Sequence, residues 1–176
     1  MSITDSIIII KNSQYKEYID EHRANVQKAW DIMKSNKKCV DYIITKANND
    51  YSIIRRISDN IEKHDLSKYD VKEFDPYRKN FFPINDEEQK NNEQAFEIAW
   101  EHHYTNNLHH WNWWAKTGNE CLMSIEFLVE MICDWQAMSF KFGGSALEWY
   151  NKNKDKIILG KDQRIFTEDL LELYCE

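Results

Sequence analysis

Glycine and proline are scarce, four and two in 176 residues. Sandwiches, barrels and Rossmann-type folds spend many more glycines on turns, so the shortage favours helices. Cysteine is thin as well. Cys39, Cys121, Cys133 and Cys175 form no C-x-x-C pair, and with no secretory segment before them they read as reduced thiols of a cytoplasmic protein. The longest apolar run near the start, Ile7–Ile10, is too short for a membrane span or a signal sequence, so no membrane association is expected. A positive excess is also lacking: 23 Lys and Arg against 30 Asp and Glu leave a net charge of −7. That excludes the basic footprint of a general nucleic-acid binder. It leaves room for a small anionic substrate held by a metal.

What is present is an ordinary globular composition, 42% hydrophobic and 30% charged, in a chain long enough to bury a core without disulfides or a structural metal. The expectation is an all-α, single-domain helical bundle over residues 15–176. An N-terminal arm, residues 1–14, precedes it, and Ile7–Ile10 could be a short strand or a packed arm. Helical apolar spacing runs from Tyr15 to about Met33 through Tyr18, Ile19, Val26, Ala29 and Trp30, and His22 falls on that stripe. Further helices are predicted over 38–47, 51–64, 72–80, 86–106, 124–140, 145–152 and 167–175. Pro83 ends the fourth, Gly143-Gly144 ends the sixth, and Thr167 with Glu168 and Asp169 reads as the start of the last. The stretch after Asn106-Asn107, with His109, His110, Trp111, Trp113 and Trp114, reads as a loop.

All six histidines, His22, His64, His102, His103, His109 and His110, lie on a helix face or just after a helix end. Two carboxylates join them on apolar faces, Asp65 beside His64, and Asp134 between Met131 and Met138. A charged carboxylate in apolar surroundings is costly unless it is paired or bound to a metal. The ordered set His22, His64-Asp65, His103, His109/His110, Asp134 offers imidazole nitrogens and carboxylate oxygens. Such ligands suit one or two divalent transition-metal ions, Mn, Fe, Ni, Co or Zn, with Mg possible. Asp65 is the natural bridge if there are two. His102 and His103 point about 100° apart on a helix; His103 continues the Phe96/Ala99/Trp100 face and is the preferred ligand, and His102 belongs outside or behind it. Of His109 and His110, one reads as a ligand and the other as a proton donor or phosphate contact. Glu130, one turn before Asp134, either orients an imidazole or is a solvated helix residue.

At these residues the chain resembles the HD-domain superfamily of metal-dependent phosphohydrolases. The doublet His64-Asp65, a helical histidine before it (His22) and a late helical aspartate (Asp134) carry the likeness. Two further histidines between the doublet and the last aspartate are similar to the dinuclear members. His64-Asp65-Leu66-Ser67-Lys68 resembles the extended H-D-x-x-K motif, which implies that Lys68 holds substrate phosphate. More narrowly, Ala99–His103, Asn107–Trp111 and Glu130–Trp135 look like an uncharacterised family of small bacterial and phage proteins.

The resemblance implies an HD-like fold and hydrolysis of a nucleotide or other small phosphate ester by metal-activated water. Asp65, Lys68, His109 and His110 would be the catalytic set, and His22, His64, Asp65, His103, His109, His110 and Asp134 the metal set. Two alternatives use the same residues: an HD-fold di-iron oxygenase, and a non-catalytic, metal-stabilised module that binds a nucleotide or a partner. Arg23 and Arg78 are weaker candidates for phosphate, and the three tryptophans are core residues or a platform for a nucleobase.

Overall fold

A computed structural model describes residues 2–175, and among them every regular element is a helix. Ten α-helices follow in chain order: α1 (Ile3–Ser35), α2 (Lys37–Lys46), α3 (Ile53–Lys63), α4 (Val71–Phe81), α5 (Asp86–Asn91), α6 (Glu93–Asn106), α7 (Trp111–Lys116), α8 (Ile125–Phe142), α9 (Ala146–Asn153) and α10 (Lys161–Cys175). Short 3₁₀ turns occupy Leu66–Tyr69 and Glu120–Leu122. None of the helices is long and apolar enough to cross a membrane.

The chain gathers into two compact units, each assembled from separated stretches. The first takes the chain up to Glu21 and Asp65–Asn107; the second takes His22–His64 and Leu108 onward. Neither can be cut out as one continuous segment.

The second unit holds the larger core. Val26, Ala29, Trp30 and Met33 of α1 are fully buried there, with Ile53, Ile57 and Ile61 of α3. Helix α8 buries ten of its side chains, Leu128 to Ala137 and Ser139 among them, with Asp134 and Met138 less covered. It packs on α3, α9 and α10. A helix apolar nearly all round belongs in an interior, so the polar residues it carries inward, Glu130 and Asp134, need partners.

The first unit is aromatic. Tyr15, Ile19, Tyr77 and Ala99 form its core, flanked by Tyr18, Tyr69, Phe74, Phe82, Phe96 and Trp100. Helix α4 lies against α6. Arg78, 2% exposed, makes a two-pronged ion pair with Glu88 at 2.7 and 2.9 Å and reaches Asp75 at 3.3 Å. It is a structural residue, which removes it from the phosphate candidates.

The helix boundaries differ from expectation in four places. The N-terminal arm is no strand: α1 begins at Ile3, and Ile3, Ile7, Ile9 and Ile10 are exposed on it. The predicted helix over 86–106 is two, broken at Asn92, a buried residue whose side-chain amide donates to the Pro76 carbonyl at 2.7 Å. The tryptophan-rich stretch is not all loop, since α7 covers Trp111–Lys116 and the Trp114 indole donates to the Leu108 carbonyl at 2.8 Å. Helix α10 begins six residues before Thr167. That threonine is fully buried, and its hydroxyl donates to the carbonyl of Gln163 at 2.8 Å. It bonds one turn back inside the helix, the local alternative open to a threonine hydroxyl that does not cap.

Candidate metal centre

The second unit brings four of the expected residues to one place. His22 comes from α1, His64 closes α3, His109 precedes α7 and Asp134 lies in the middle of α8. His22, His64 and Asp134 each present a ligand atom within 4.8 Å of the others, and His64, His109 and Glu130 do the same. His22 Nε2 is 3.1 Å from Asp134 Oδ1 and 3.3 Å from His64 Nε2. His64 Nε2 is 4.0 Å from Asp134 Oδ1, and His109 Nε2 is 3.8 Å from Asp134 Oδ2. Two donors bound about 2.1 Å from one ion, at tetrahedral or octahedral angles, stand about 3.0–3.4 Å apart. The nearest pairs already have that spacing.

Glu130 is one helical turn before Asp134 and shares its face. Its Oε1 is 2.9 Å from His64 Nδ1 and 3.0 Å from His109 Nδ1. An ionised carboxylate only accepts, so both imidazoles carry their proton on Nδ1 and turn Nε2 toward Asp134. Of the two readings the sequence left open for Glu130, the solvated residue is excluded: it is 5% exposed.

Burial works against a charged Glu130, yet the charges and hydrogen bonds of His109 and His64 hold its carboxyl down at about 2. Burial opposes Asp134 in the same way. The His22 hydrogen bond and the charges of His22, His64 and His109 keep it far below the usual carboxylate range. Among the described residues, imidazoles pair with both carboxylates. Protonated histidines or a bound cation would supply positive charge at this spot.

Arg23 is occupied in the same unit. Its guanidinium donates to the carbonyls of His64 and Glu62 at 2.8 and 2.7 Å, fixing the end of α3 that carries His64. His110, half-buried at the start of α7, has its ring 4.2 Å from that of His109. Trp111 and Trp114 pack on the apolar core.

Asp65, Lys68, His102 and His103 lie in the first unit. Asp65 takes a left-handed backbone, φ 56°, which aspartate tolerates better than most residues. Its Oδ2 pairs with Lys68 Nζ at 2.6 Å and its Oδ1 stands 3.3 Å from His103 Nε2. His103 is fully buried, and its Nδ1 meets Glu73 Oε2 at 2.8 Å; His102, 29% exposed, meets Glu73 Oε1 at 2.7 Å. Ser67 donates to Glu73 Oε2 at 2.9 Å, and the Asn107 amide donates to Ser67 at 2.7 Å.

Sequence reasoning missed Glu73 altogether. The signal was there: it lies four residues before Tyr77, so the two share the buried face of α4. The same unit holds two further polar groups the sequence did not flag. The Tyr15 and Tyr77 hydroxyls are buried without a hydrogen-bond partner. Burial pushes both phenols well above their ordinary range, and the charges of Asp65 and Glu73 add to it.

The donor set of the second unit, three imidazole Nε2 atoms and one carboxylate, fits a divalent transition metal. The chain matches no curated protein and no solved structure. Residues 11–173 match a family of unknown function, DUF5662, and the chain belongs to that family.

Proposed function

We propose that the protein is a metal-dependent phosphohydrolase acting on a nucleotide or another small phosphate ester. The observation that carries the reading is the pair of buried carboxylates, Glu130 and Asp134, that three imidazoles surround. A divalent ion held by His22, His64, His109 and Asp134 would lower the pKa of a coordinated water from about 15.7 towards 7, supplying hydroxide at neutral pH.

The chain's own residues do the rest. Glu130 holds two ligand rings by their Nδ1 protons, so each presents only Nε2. Arg23 anchors the backbone of His64. Asp134 keeps 16% of its side chain exposed, so the site is open to water. His110, beside His109, is the candidate proton donor to the leaving oxygen. The resemblance assigns Asp65 the role of metal bridge and Lys68 the substrate phosphate. Lys68 is held here by Asp65, so the ammonium is already oriented.

The test is a metal assay of the purified protein, followed by phosphate release from a panel of nucleotides and phosphodiesters with Mn, Fe, Co, Ni, Zn or Mg added. We expect at least one tightly bound ion per chain and metal-dependent turnover that His64→Ala abolishes. Iron-dependent oxygen uptake without phosphate release would replace this reading with the oxygenase. Tight nucleotide binding with no turnover under any metal would replace it with a binding module.

A further inference from the structure

We propose that Glu73 is a positioning residue that locks the ring of His103 through Nδ1 and turns its Nε2 to Asp65. No part of the hydrolase reading uses Glu73. Only the last step of the inference, ligation by His103 and Asp65, rests on the metal reading.

Glu73 is wholly buried on α4. Its two oxygens take three donors, His102 Nδ1 at 2.7 Å on one, His103 Nδ1 at 2.8 Å and the Ser67 hydroxyl at 2.9 Å on the other. A buried carboxylate with this many donors stays ionised, and an ionised carboxylate cannot donate. Each imidazole therefore keeps a proton on Nδ1. For His103 that settles the ring: Nδ1 is spent on Glu73, and Nε2 stands 3.3 Å from Asp65 Oδ1. Two aromatic rings, Trp100 at 5.8 Å and Tyr77 at 5.7 Å between centroids, flank the imidazole and limit its rotation. Asp65 and His103 thus form a pre-set pair of donor atoms for a divalent cation. His102 shares the acceptor but is partly exposed, so its ring is the one free to change state.

The substitution that tests this is Glu73→Gln, which keeps shape but has one accepting oxygen where Glu73 has two. Its NH₂ group must then face one of the two rings, and that ring has to give up its Nδ1 proton. We expect His102 to switch to the Nε2–H form while His103 keeps Nδ1–H, read from the ring nitrogens by ¹⁵N NMR on the metal-free full chain. Glu73→Ala, which removes both acceptors, should release His103 as well. Titration with Zn²⁺, followed at the His103 ring, should then need about 10–100-fold more metal for half-saturation than in the wild type.

The lock is overturned if both rings of Glu73→Gln keep their Nδ1 protons, or if wild-type His103 carries its proton on Nε2 alone. The ligand step is overturned if Zn²⁺ moves the His64 and His109 resonances of the wild type and leaves His103 unmoved. If Zn²⁺ moves none of the three, the hydrolase reading and the ligand step fail together, and the lock is still decided by the metal-free spectra.

Discussion

The two units contain the same device built to different charge. In each, a buried glutamate accepts hydrogen bonds from the Nδ1–H groups of two imidazoles, and an Nε2 faces an aspartate: Glu73, His102, His103 and Asp65 in one, Glu130, His64, His109 and Asp134 in the other. In the first unit Lys68 neutralises the aspartate at 2.6 Å. In the second the aspartate meets three imidazoles. The first array carries its own cation. In the second, protonated histidines or a metal would supply one, and the array offers four donor atoms to hold it. Similar hydrogen bonding thus gives donor atoms that already hold an ammonium in one unit and donor atoms faced by imidazoles in the other.

The largest blow to this comparison is Glu130→Ala. It leaves two buried Nδ1–H groups without an acceptor, and removing one partner from a buried charged network costs about 3–5 kcal/mol. Chemical denaturation should show that loss, and Glu130→Gln, which retains one accepting oxygen, should recover part of it. A loss under about 1 kcal/mol for the alanine variant would mean that Glu130 does not hold the two rings.

Next comes metal removal. If the second unit needs a cation, stripping the protein with a chelator lowers its thermal stability, by about 2.7 kcal/mol relative to a free-metal level of 100 times Kd. Asp134→Ala should be insensitive to the same treatment. An unchanged melting curve for the wild type would sink the metal reading of the second unit.

The acid limb sharpens it further. Glu130 has a carboxyl at about 2 in the fold against an ordinary 4.5. A depressed carboxylate contributes stability above its ordinary value and loses it as the pH falls through the folded one. Metal-free protein should therefore lose stability between about pH 4.5 and 2. Glu73 is shifted in the same direction, its burial outweighed by the histidine and serine partners, and adds to the loss with the same sign. Glu130→Gln should flatten this limb in denaturation curves taken from pH 5 to 2.

Lys68→Met probes the array that holds the ammonium. It leaves a 1% exposed Asp65 without its ammonium, a loss of about 1.5–3 kcal/mol for a charge-assisted hydrogen bond. On a verified phosphorylated substrate, kcat/KM should fall roughly 10–100-fold with metal content unchanged. Wild-type kinetics would remove Lys68 from substrate binding. The smallest effects belong to Tyr15→Phe and Tyr77→Phe. Each deletes a buried hydroxyl that has no partner, so thermal melts should show no loss and at most about 1 kcal/mol of gain.

Much of the helical frame was legible in the chain. Of the predicted stripe, Tyr15, Ile19, Val26, Ala29, Trp30 and Met33 are buried to 1% exposure or less, His22 is buried too, and Tyr18 is half-buried. That follows because a 3.6-residue period puts those positions on one face whatever they pack against. The breaks were less legible. Asn92 interrupts a helical pattern because its side chain is drawn to the Pro76 carbonyl, sixteen residues away, and no local propensity encodes that. Thr167 looked like a cap because threonine is favoured there, yet its hydroxyl can also bond a carbonyl one turn back, as it does to Gln163.

The residue types of the site, and the faces they sit on, were set by sequence alone: His22, His64, Asp65, His103 and Asp134 all stand on or at the end of apolar stripes. Tertiary structure decided which of them meet. It grouped His22, His64, His109 and Asp134, gave Asp65 to Lys68 and His103, and showed Arg23 and Arg78 to be spent on structure. It also brought two imidazoles to Glu73, which the sequence had not singled out, and put Glu130 between His64 and His109, the imidazole-orienting reading of the two left open. The physical reason is that helical periodicity specifies a direction from one axis. The partner at 3 Å comes from another helix, dozens of residues away, and only packing fixes that distance.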